Sequence, residues 1–177
     1  MNQVYILGID HEIQACDSTR TMHERSKFTD LLRKLVADNN IGFIGEETFP
    51  EKNTIAKCVA CVYGIRWEII EMSRQARQAL GIADEQKNQR QPFDDIKREP
   101  SKQVRVLSDG IREEYMLWRT LTMAGDSVNI LVLCGMLHVG ELERRFKNAQ
   151  CQVKADSLCK YDWYAHSDCP DNTPESR

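Results

Sequence analysis

The feature that most constrains this chain is the stretch from Asn129 to Phe146, which reads NILVLCGMLHVGELERRF. Its apolar run, 130–134, is too short for a useful helix and rich in branched side chains, which favours a buried strand. Gly135 ends that run, and a helical pattern follows with apolar residues at i, i+3 and i+7 from Val139. His138 therefore lies in the turn between a strand and a helix. In an open α/β sheet that turn is at the edge where ligands bind.

Length and charge exclude several classes of protein. A chain of 177 residues, 41% hydrophobic and 29% charged, fits one globular domain, which we place at residues 1–167 with a loose polar tail at 168–177. The net charge of -3 provides no basic surface for nucleic acid, and no apolar run approaches the ~20 residues that cross a bilayer. The start, MNQVYILGID, lacks the features of a signal peptide. We therefore expect a cytoplasmic protein with reduced thiols that binds neither nucleic acid nor membrane.

Four apolar runs predict the strands of a parallel sheet. They begin at or near Val4, Ile41, Trp67 and Asn129, and 151–155 is a candidate edge strand. Helical patterns lie between the runs, which is the strand–helix–strand order of right-handed parallel crossovers. We therefore expect an α/β domain whose mostly parallel, open sheet of about four to six strands is flanked by helices.

The segment between the third and fourth strands divides into two parts. Residues 84–102 are polar and contain two prolines, so we expect a loop or lid there. The longest helix follows, from Val104 to about Met123, with an apolar stripe that predicts packing against the rest of the domain. The stripe consists of Val104, Leu107, Ile111, Tyr115, Trp118 and Leu121. Arg112 lies at its border, where an arginine can also extend its head group to solvent.

Three strands end in the same way. Gly8–His11, Gly45–Glu47 and Gly135–His138 each place a glycine at the end of a strand and an ionisable side chain within three residues. If the strands are parallel neighbours, these side chains converge. Two imidazoles and a carboxylate are the usual ligands of a divalent metal that keeps a position open for water. The same groups can also act without metal in general acid–base catalysis.

The residues of this candidate site have alternative roles. The metal ligands would be His11, His138 and one glutamate, Glu46 or Glu47, with the other glutamate as the base that activates water. A single G-x-x-H histidine, however, often only caps a helix, and paired glutamates often form a solvated turn. A rival class is a binding module without catalysis, since the turn 135–140 leads into a helix amino terminus that can hold an anion or nucleotide, with Arg112 pairing to it.

Four short motifs, in this order along the chain, resemble the TraB/TIKI group of metallohydrolases. They are Gly8–His11, Gly45–Glu47, Arg112–Met116 and the sequence VLCGMLHVGEL at 132–142. The wider fold group includes ChaN-like haem-binding proteins and erythromycin-esterase-like hydrolases. The resemblance covers roughly residues 4–158, and it departs from the family pattern at Ile111, where the family tends to have a glutamate.

The resemblance implies a metal-dependent hydrolase that cleaves an ester or amide bond of a small-molecule or peptide substrate, with Mn, Co or Zn as the metal. Its site would use His11, Glu46, Glu47, Arg112 and His138. Arg112 would face the developing oxyanion or a substrate carboxylate, and Tyr115 of the same motif would contact substrate. A haem or iron carrier of the ChaN-like kind is the remaining alternative. The two strand–G-x-x-H–helix units suggest an internal duplication.

Overall fold

The computed structural model describes residues 3–17, 20–50, 52–82, 107–126 and 128–164. Within those ranges the strands are β1 (Gln3–Ile9), β2 (Ile41–Glu46), β3 (Arg66–Ile69), β4 (Asn129–Gly135) and β5 (Gln152–Ser157). The α-helices are α1 (His11–Gln14), α2 (Met22–Asp38), α3 (Ile55–Tyr63), α4 (Arg74–Ala79), α5 (Leu107–Ala124) and α6 (Val139–Asn148), with 3-10 turns at Met136–His138 and Leu158–Lys160. The predicted lid at 84–102 and tail at 168–177 lie outside the described residues.

The five strands form one parallel sheet in the order β3-β2-β4-β1-β5. The predicted α/β class and the open, helix-flanked sheet are therefore confirmed. β4 lies between β1 and β2, pairing Gly135 with Ile9 on one side and Leu133 with Glu46 on the other. The ends of the three central strands consequently meet at one edge, and these are the three strands whose ends carry the predicted site.

The core has two parts, one on each face of the sheet. Alternate residues of the strands point to opposite faces, and α2 and α3 cover the face that carries Leu7 and Leu131. The other face, with Ile6 and Val132, is covered by α5 and α6 through buried residues that include Phe146. Because both faces are covered, the central strands read as continuous apolar runs rather than alternating ones.

The starts of the helices follow local sequence signals. α2 begins at Thr21, whose hydroxyl accepts from the backbone N–H of Glu24 while the Glu24 carboxylate accepts from the Thr21 N–H, a complete capping box. α3 begins at Thr54, which caps the backbone N–H of Lys57, and ends at Gly64 in the left-handed conformation with φ 64°. These caps hold the loops after β1 and β2 in place, and both loops lead to the candidate site.

The predicted buried face of the long helix is wrong in its central part. In α5, Ile111 and Trp118 are 51% and 56% exposed, and the Tyr115 ring contacts that of Trp118 in a tilted arrangement with centroids 5.7 Å apart. Leu121 packs against the core as predicted, and Val104 lies outside the described residues. The buried side chains of α5 are largely polar, namely Ser108, Asp109, Arg112, Glu113, Met116 and Thr120. The helix has this orientation because ionised groups at the sheet edge need partners once they are buried. Leaving those groups unpaired would cost more free energy than exposing the apolar side chains of the stripe.

The cysteines depart in part from the expectation of reduced thiols. The free cysteines of the described residues are Cys16, Cys58, Cys61, Cys134 and Cys151, whereas Cys159 is in a disulfide.

In the portion of the chain that the structure describes, no helix combines the length and the apolar character needed to cross a membrane.

A candidate active site at the carboxyl edge of the sheet

Glu47 is the centre of the site. It follows β2, and its backbone N–H donates to the carbonyl oxygen of Leu133 in β4 at 2.8 Å. The backbone N–H of Gly135 donates to Glu47 Oε2 at 2.7 Å. The second oxygen, Oε1, lies 3.8 Å from Nε2 of His11 and 3.6 Å from Nε2 of His138. The side chain is almost fully buried, so its carboxylate lies between the two predicted histidines.

His11 is the first residue of α1, immediately after β1. Asp10 caps this single helical turn by accepting from the backbone N–H of Glu12 at 2.9 Å. Within the turn, Nδ1 of His11 is 2.8 Å from Oε1 of Gln14. The His11 side chain is 50% exposed, and its Nε2 faces Glu47. His11 is therefore the imidazole of the site that solvent and a substrate can reach.

His138 ends the 3-10 turn after β4 and is buried, with a side chain 7% exposed. Its Nδ1 is 2.9 Å from Oε1 of Glu113, a fully buried residue of α5. Burial lowers the pKa of His138, but the hydrogen bond to Glu113 and the charge of Glu47 outweigh it, so the pKa lies above its ordinary value. His138 thus lies between the carboxylates of Glu47 and Glu113.

Arg112 neutralises the acidic groups beneath the site. Its guanidinium donates to Glu47 Oε1 at 2.7 Å and to Asp109 Oδ1 at 3.1 Å, and it pairs with both carboxylate oxygens of Glu71. Burial lowers its pKa, but the hydrogen bond and charge of Glu71 raise it above the ordinary value. Glu71 also pairs with Arg77 at 3.0 Å. Arg112 is therefore committed to carboxylates of the chain.

The pKa of Glu47 lies well below the ordinary value. Burial alone raises the pKa of a carboxyl group, but the charges of His138, His11 and Arg112 and the N–H of Gly135 lower it. Glu47 is consequently an ionised carboxylate in a buried setting that would otherwise favour the neutral acid.

Glu46 has different surroundings, although it is the neighbour of Glu47. Its Oε2 accepts from Thr54 Oγ1 and from Trp67 Nε1, both at 2.7 Å, and its Oε1 accepts from Gln14 Nε2 at 3.3 Å. The side chain is fully buried, and burial raises its pKa to about 7 despite these three donors. Glu46 thus contacts Gln14, which in turn contacts His11. Glu47, by contrast, lies between the two imidazoles.

Some of the residues at this edge were predicted from the sequence, and others were not. His11, Glu47, Arg112 and His138 come together as expected at one edge, whereas Tyr115 contacts Trp118 and borders an open groove with Ile111 and Met72. The missed residues are Gln14, Glu71, Asp109 and Glu113. Their signals are weak but readable: Gln14 follows His11 at helical spacing, Glu71 follows β3 at the same sheet edge, and Asp109 and Glu113 share a helix face with Arg112.

The donor groups are of the kind that divalent metals bind. Two imidazoles present Nε2 while Nδ1 is held by another side chain, as in many metal sites, and an ionised carboxylate lies between them. Across the described ranges, no group of three or more His, Cys, Asp or Glu side chains has the arrangement of a metal site. One Glu47 oxygen is bonded to Arg112 and the other to Gly135.

Comparisons with models of protein families, with curated proteins and with solved structures give no match for this chain. The family resemblance carried by the four motifs therefore stays a prediction.

Proposed function

We propose that this protein hydrolyses an ester or amide bond at the carboxyl edge of its sheet. One observation carries the proposal: two imidazoles on neighbouring strands, each held at Nδ1 by another side chain, direct Nε2 towards one oxygen of Glu47 at 3.8 and 3.6 Å. The imidazoles of hydrolytic and metal sites are oriented in the same way, by a partner at the ring nitrogen that does not react.

His11 has the central chemical role in this proposal. Its half-exposed imidazole takes a proton from an attacking water, so that the water oxygen bonds to the carbonyl carbon of the substrate. The proton then passes to the leaving alcohol or amine as its bond to that carbon breaks. Gln14 orients His11 through its contact with Nδ1, and Glu47 balances the charge that the imidazole gains. The positive charge on the His11 imidazole is stabilised because the Glu47 carboxylate lies only 3.8 Å away.

His138 and Arg112 hold Glu47 in place for this reaction. His138 is fixed by Glu113, and Arg112 donates to the Glu47 oxygen that faces both imidazoles. Since Arg112 already pairs with three carboxylates, we assign it to the support of Glu47 and no longer to an oxyanion.

A divalent metal belongs to the proposal as the family resemblance implies. His11, His138 and Glu47 are the residues that would hold it, since Glu47 is the glutamate of the predicted pair that lies between the two imidazoles. Such an ion would supply an acidified water and polarise the carbonyl group. The metal-free alternative uses the same residues, with His11 as the general base.

The binding-module alternative has less support from the contacts. The Gly135 N–H and the Arg112 guanidinium are two of the donors that an anion at this turn would use, and both donate to Glu47. An incoming anion would have to displace a buried carboxylate from these donors, and doing so costs the charge-assisted hydrogen bonds.

The test is a hydrolysis screen on a panel of aryl esters and peptides, with and without added Mn²⁺, Co²⁺ or Zn²⁺. Elemental analysis of protein purified without chelator accompanies it, together with an absorption spectrum that would reveal haem. His11→Ala and His138→Ala are expected to lower turnover by about 10²-fold or more. The matched control is His23→Ala, because His23 is exposed on α2.

Three outcomes separate the alternatives. Metal that is lost in both site variants and kept in the His23 variant supports the metallohydrolase. Equal metal in all samples removes the metal from the proposal, and hydrolysis without metal supports His11 as general base. A wild-type protein that cleaves nothing in the panel, or variants as active as wild type, would count against a hydrolase at this edge.

A further inference from the structure

Nδ1 of His11 lies against the buried side chain of Gln14, on the opposite side of the ring from the nitrogen that faces Glu47 and solvent. We infer that Gln14 and Glu46 are positioning residues that hold His11 with its proton on Nδ1, so that Nε2 keeps the lone pair that faces Glu47 and solvent. The inference rests on the proposed function, because it names the state in which His11 enters that reaction.

The orientation of the Gln14 amide follows from a backbone carbonyl. Gln14 is fully buried, and its Nε2 lies 3.0 Å from the carbonyl oxygen of Glu47. A backbone carbonyl oxygen only accepts, so the group that faces it must be the amide nitrogen. The amide oxygen therefore faces Nδ1 of His11 at 2.8 Å. Since an amide oxygen has no proton, Nδ1 of His11 must be the donor.

Glu46 fixes the same orientation from a second direction. The Gln14 nitrogen also lies 3.3 Å from Glu46 Oε1, which accepts from it. If the Gln14 amide were rotated by half a turn, its oxygen would face this carboxylate and the Glu47 carbonyl oxygen. The two hydrogen bonds that the amide nitrogen donates would then be replaced by two contacts between acceptor oxygens. Losing both hydrogen bonds in a buried setting is unfavourable, so the rotated amide is excluded.

Glu46 is itself held by the frame of the domain. Thr54, which caps α3 and also forms an isolated bridge with Ala15, donates its hydroxyl to Glu46, and Trp67 of β3 donates its indole N–H. The chain of contacts thus runs from β3 and α3 through Glu46 and Gln14 to a half-exposed imidazole. A rigid frame of this kind keeps a catalytic group in one orientation without a direct contact to substrate.

The consequence for the reaction is that His11 needs no rearrangement before it acts. Nε2 is unprotonated in the neutral ring, so it can take a proton from water or bind a metal ion, and both uses need this tautomer. With the opposite tautomer, Nε2 would carry the proton and would have no lone pair for either role. Gln14 therefore orients the ring of His11 through a neutral amide, just as the Glu113 carboxylate orients the ring of His138.

The test is the long-range ¹H–¹⁵N spectrum of ¹⁵N-labelled full-length protein at alkaline pH, where imidazoles are neutral. The chain has four histidines, and the spectrum of His11→Ala assigns the signal of His11. In wild type we expect Nδ1 of His11 to be protonated and Nε2 to be unprotonated. Gln14→Met removes the acceptor at nearly equal volume, and we expect the ratio of the Nδ1-protonated to the Nε2-protonated form to fall severalfold.

Further variants separate positioning from a general effect on folding. Glu46→Gln, which does not touch His11, turns an amide group towards the Gln14 amide and is expected to reduce the Nδ1-protonated form. Gln75→Met on the exposed side of α4 is the matched control and should leave the His11 signal unchanged.

The inference is overturned if His11 of wild type is protonated on Nε2, whatever the variants do. It is also overturned if Gln14→Met and Glu46→Gln are folded and have the wild-type ratio of tautomers. The wild-type spectrum decides the matter even if a variant fails to fold. Because this readout needs no substrate, a protein with the expected tautomer and no hydrolysis would contradict the proposed function and leave the positioning role in place.

Discussion

The buried carboxyl group of Glu46 makes a quantitative prediction about stability and pH. Its side chain is fully buried, and burial raises its pKa from 4.5 to about 7 against three hydrogen bonds. Each unit of pKa corresponds to about 1.4 kcal/mol, so ionising Glu46 costs the folded protein roughly 3 kcal/mol more than it costs the unfolded chain.

The sign of the effect follows from proton binding. Between pH 4.5 and about 7 the folded protein holds a proton on Glu46 that the unfolded chain has lost. The free energy of unfolding therefore falls as the pH rises through this window. The stabilisation is fully present below 4.5 and is lost as the pH passes about 7. His138, whose pKa is also raised, contributes in the same direction, so the wild-type curve contains both effects.

Glu46→Gln isolates the contribution of Glu46, because an amide does not ionise. Urea unfolding followed by circular dichroism, at several pH values from about 4.5 to about 8, gives the free energy of unfolding of both proteins. The wild-type value minus the variant value is expected to fall by roughly 3 kcal/mol across that range. The slope that remains in the variant includes the contribution of His138.

Glu12→Gln is the matched control, since the Glu12 side chain is 63% exposed. Its curve should run parallel to that of wild type. If the Glu46→Gln curve is also parallel to wild type, Glu46 titrates in the folded protein as it does in the unfolded chain, and burial does not raise its pKa.

Three further changes test other contacts. Arg112→Met leaves three buried carboxylates without their shared cation, and we expect the free energy of unfolding to fall by about 3–5 kcal/mol in urea titrations. Gly135→Ala places a methyl group 3.1 Å from His11 Nε2 at a φ of -57° that alanine accepts, so hydrolysis should fall while the melting temperature stays nearly unchanged. Trp118→Ser alters a side chain that is 56% exposed, and calorimetry should show a change within about 0.5 kcal/mol.

Each change has a control. Arg33→Met removes a half-exposed arginine of α2 and should leave the protein as stable as wild type; an Arg112 variant of equal stability would show that its ion pairs contribute nothing. At Gly140 an added methyl group meets nothing within 4 Å, so Gly140→Ala should keep full activity. A large loss of stability in Trp118→Ser would mean that the outer side of α5 is covered by part of the protein.

The positions of the strands and of the two histidines were readable from the sequence. Short apolar runs that end in glycine predict buried strands, and their separation by helical patterns predicts parallel pairing. A residue that directly follows such a strand lies at the carboxyl edge whatever the order of the strands. His11 and His138 could therefore be placed at one edge without knowledge of which strands are neighbours.

The choice between Glu46 and Glu47 required the tertiary structure. Consecutive residues near the end of a strand point to opposite sides, and nothing local distinguishes the two carboxylates. The order β2-β4-β1 directs Glu47 towards the imidazoles, whereas Glu46 is directed towards Thr54 and Trp67. The pKa of Glu46 is then raised and that of Glu47 is lowered, because buried Glu46 contacts neutral groups whereas Glu47 lies among cationic side chains.

The orientation of α5 was decided by long-range contacts in the same way. The periodicity of its apolar residues indicates only which side chains a helix could bury, and it predicts that Ile111 and Trp118 are buried. Buried charges at the sheet edge impose a stronger requirement, because an ionised group without a partner costs more in a protein interior than an exposed apolar side chain costs in water. The sequence by itself thus determined the strands and the edge where the site lies, and the pairing of charges in three dimensions decided which side chains face it.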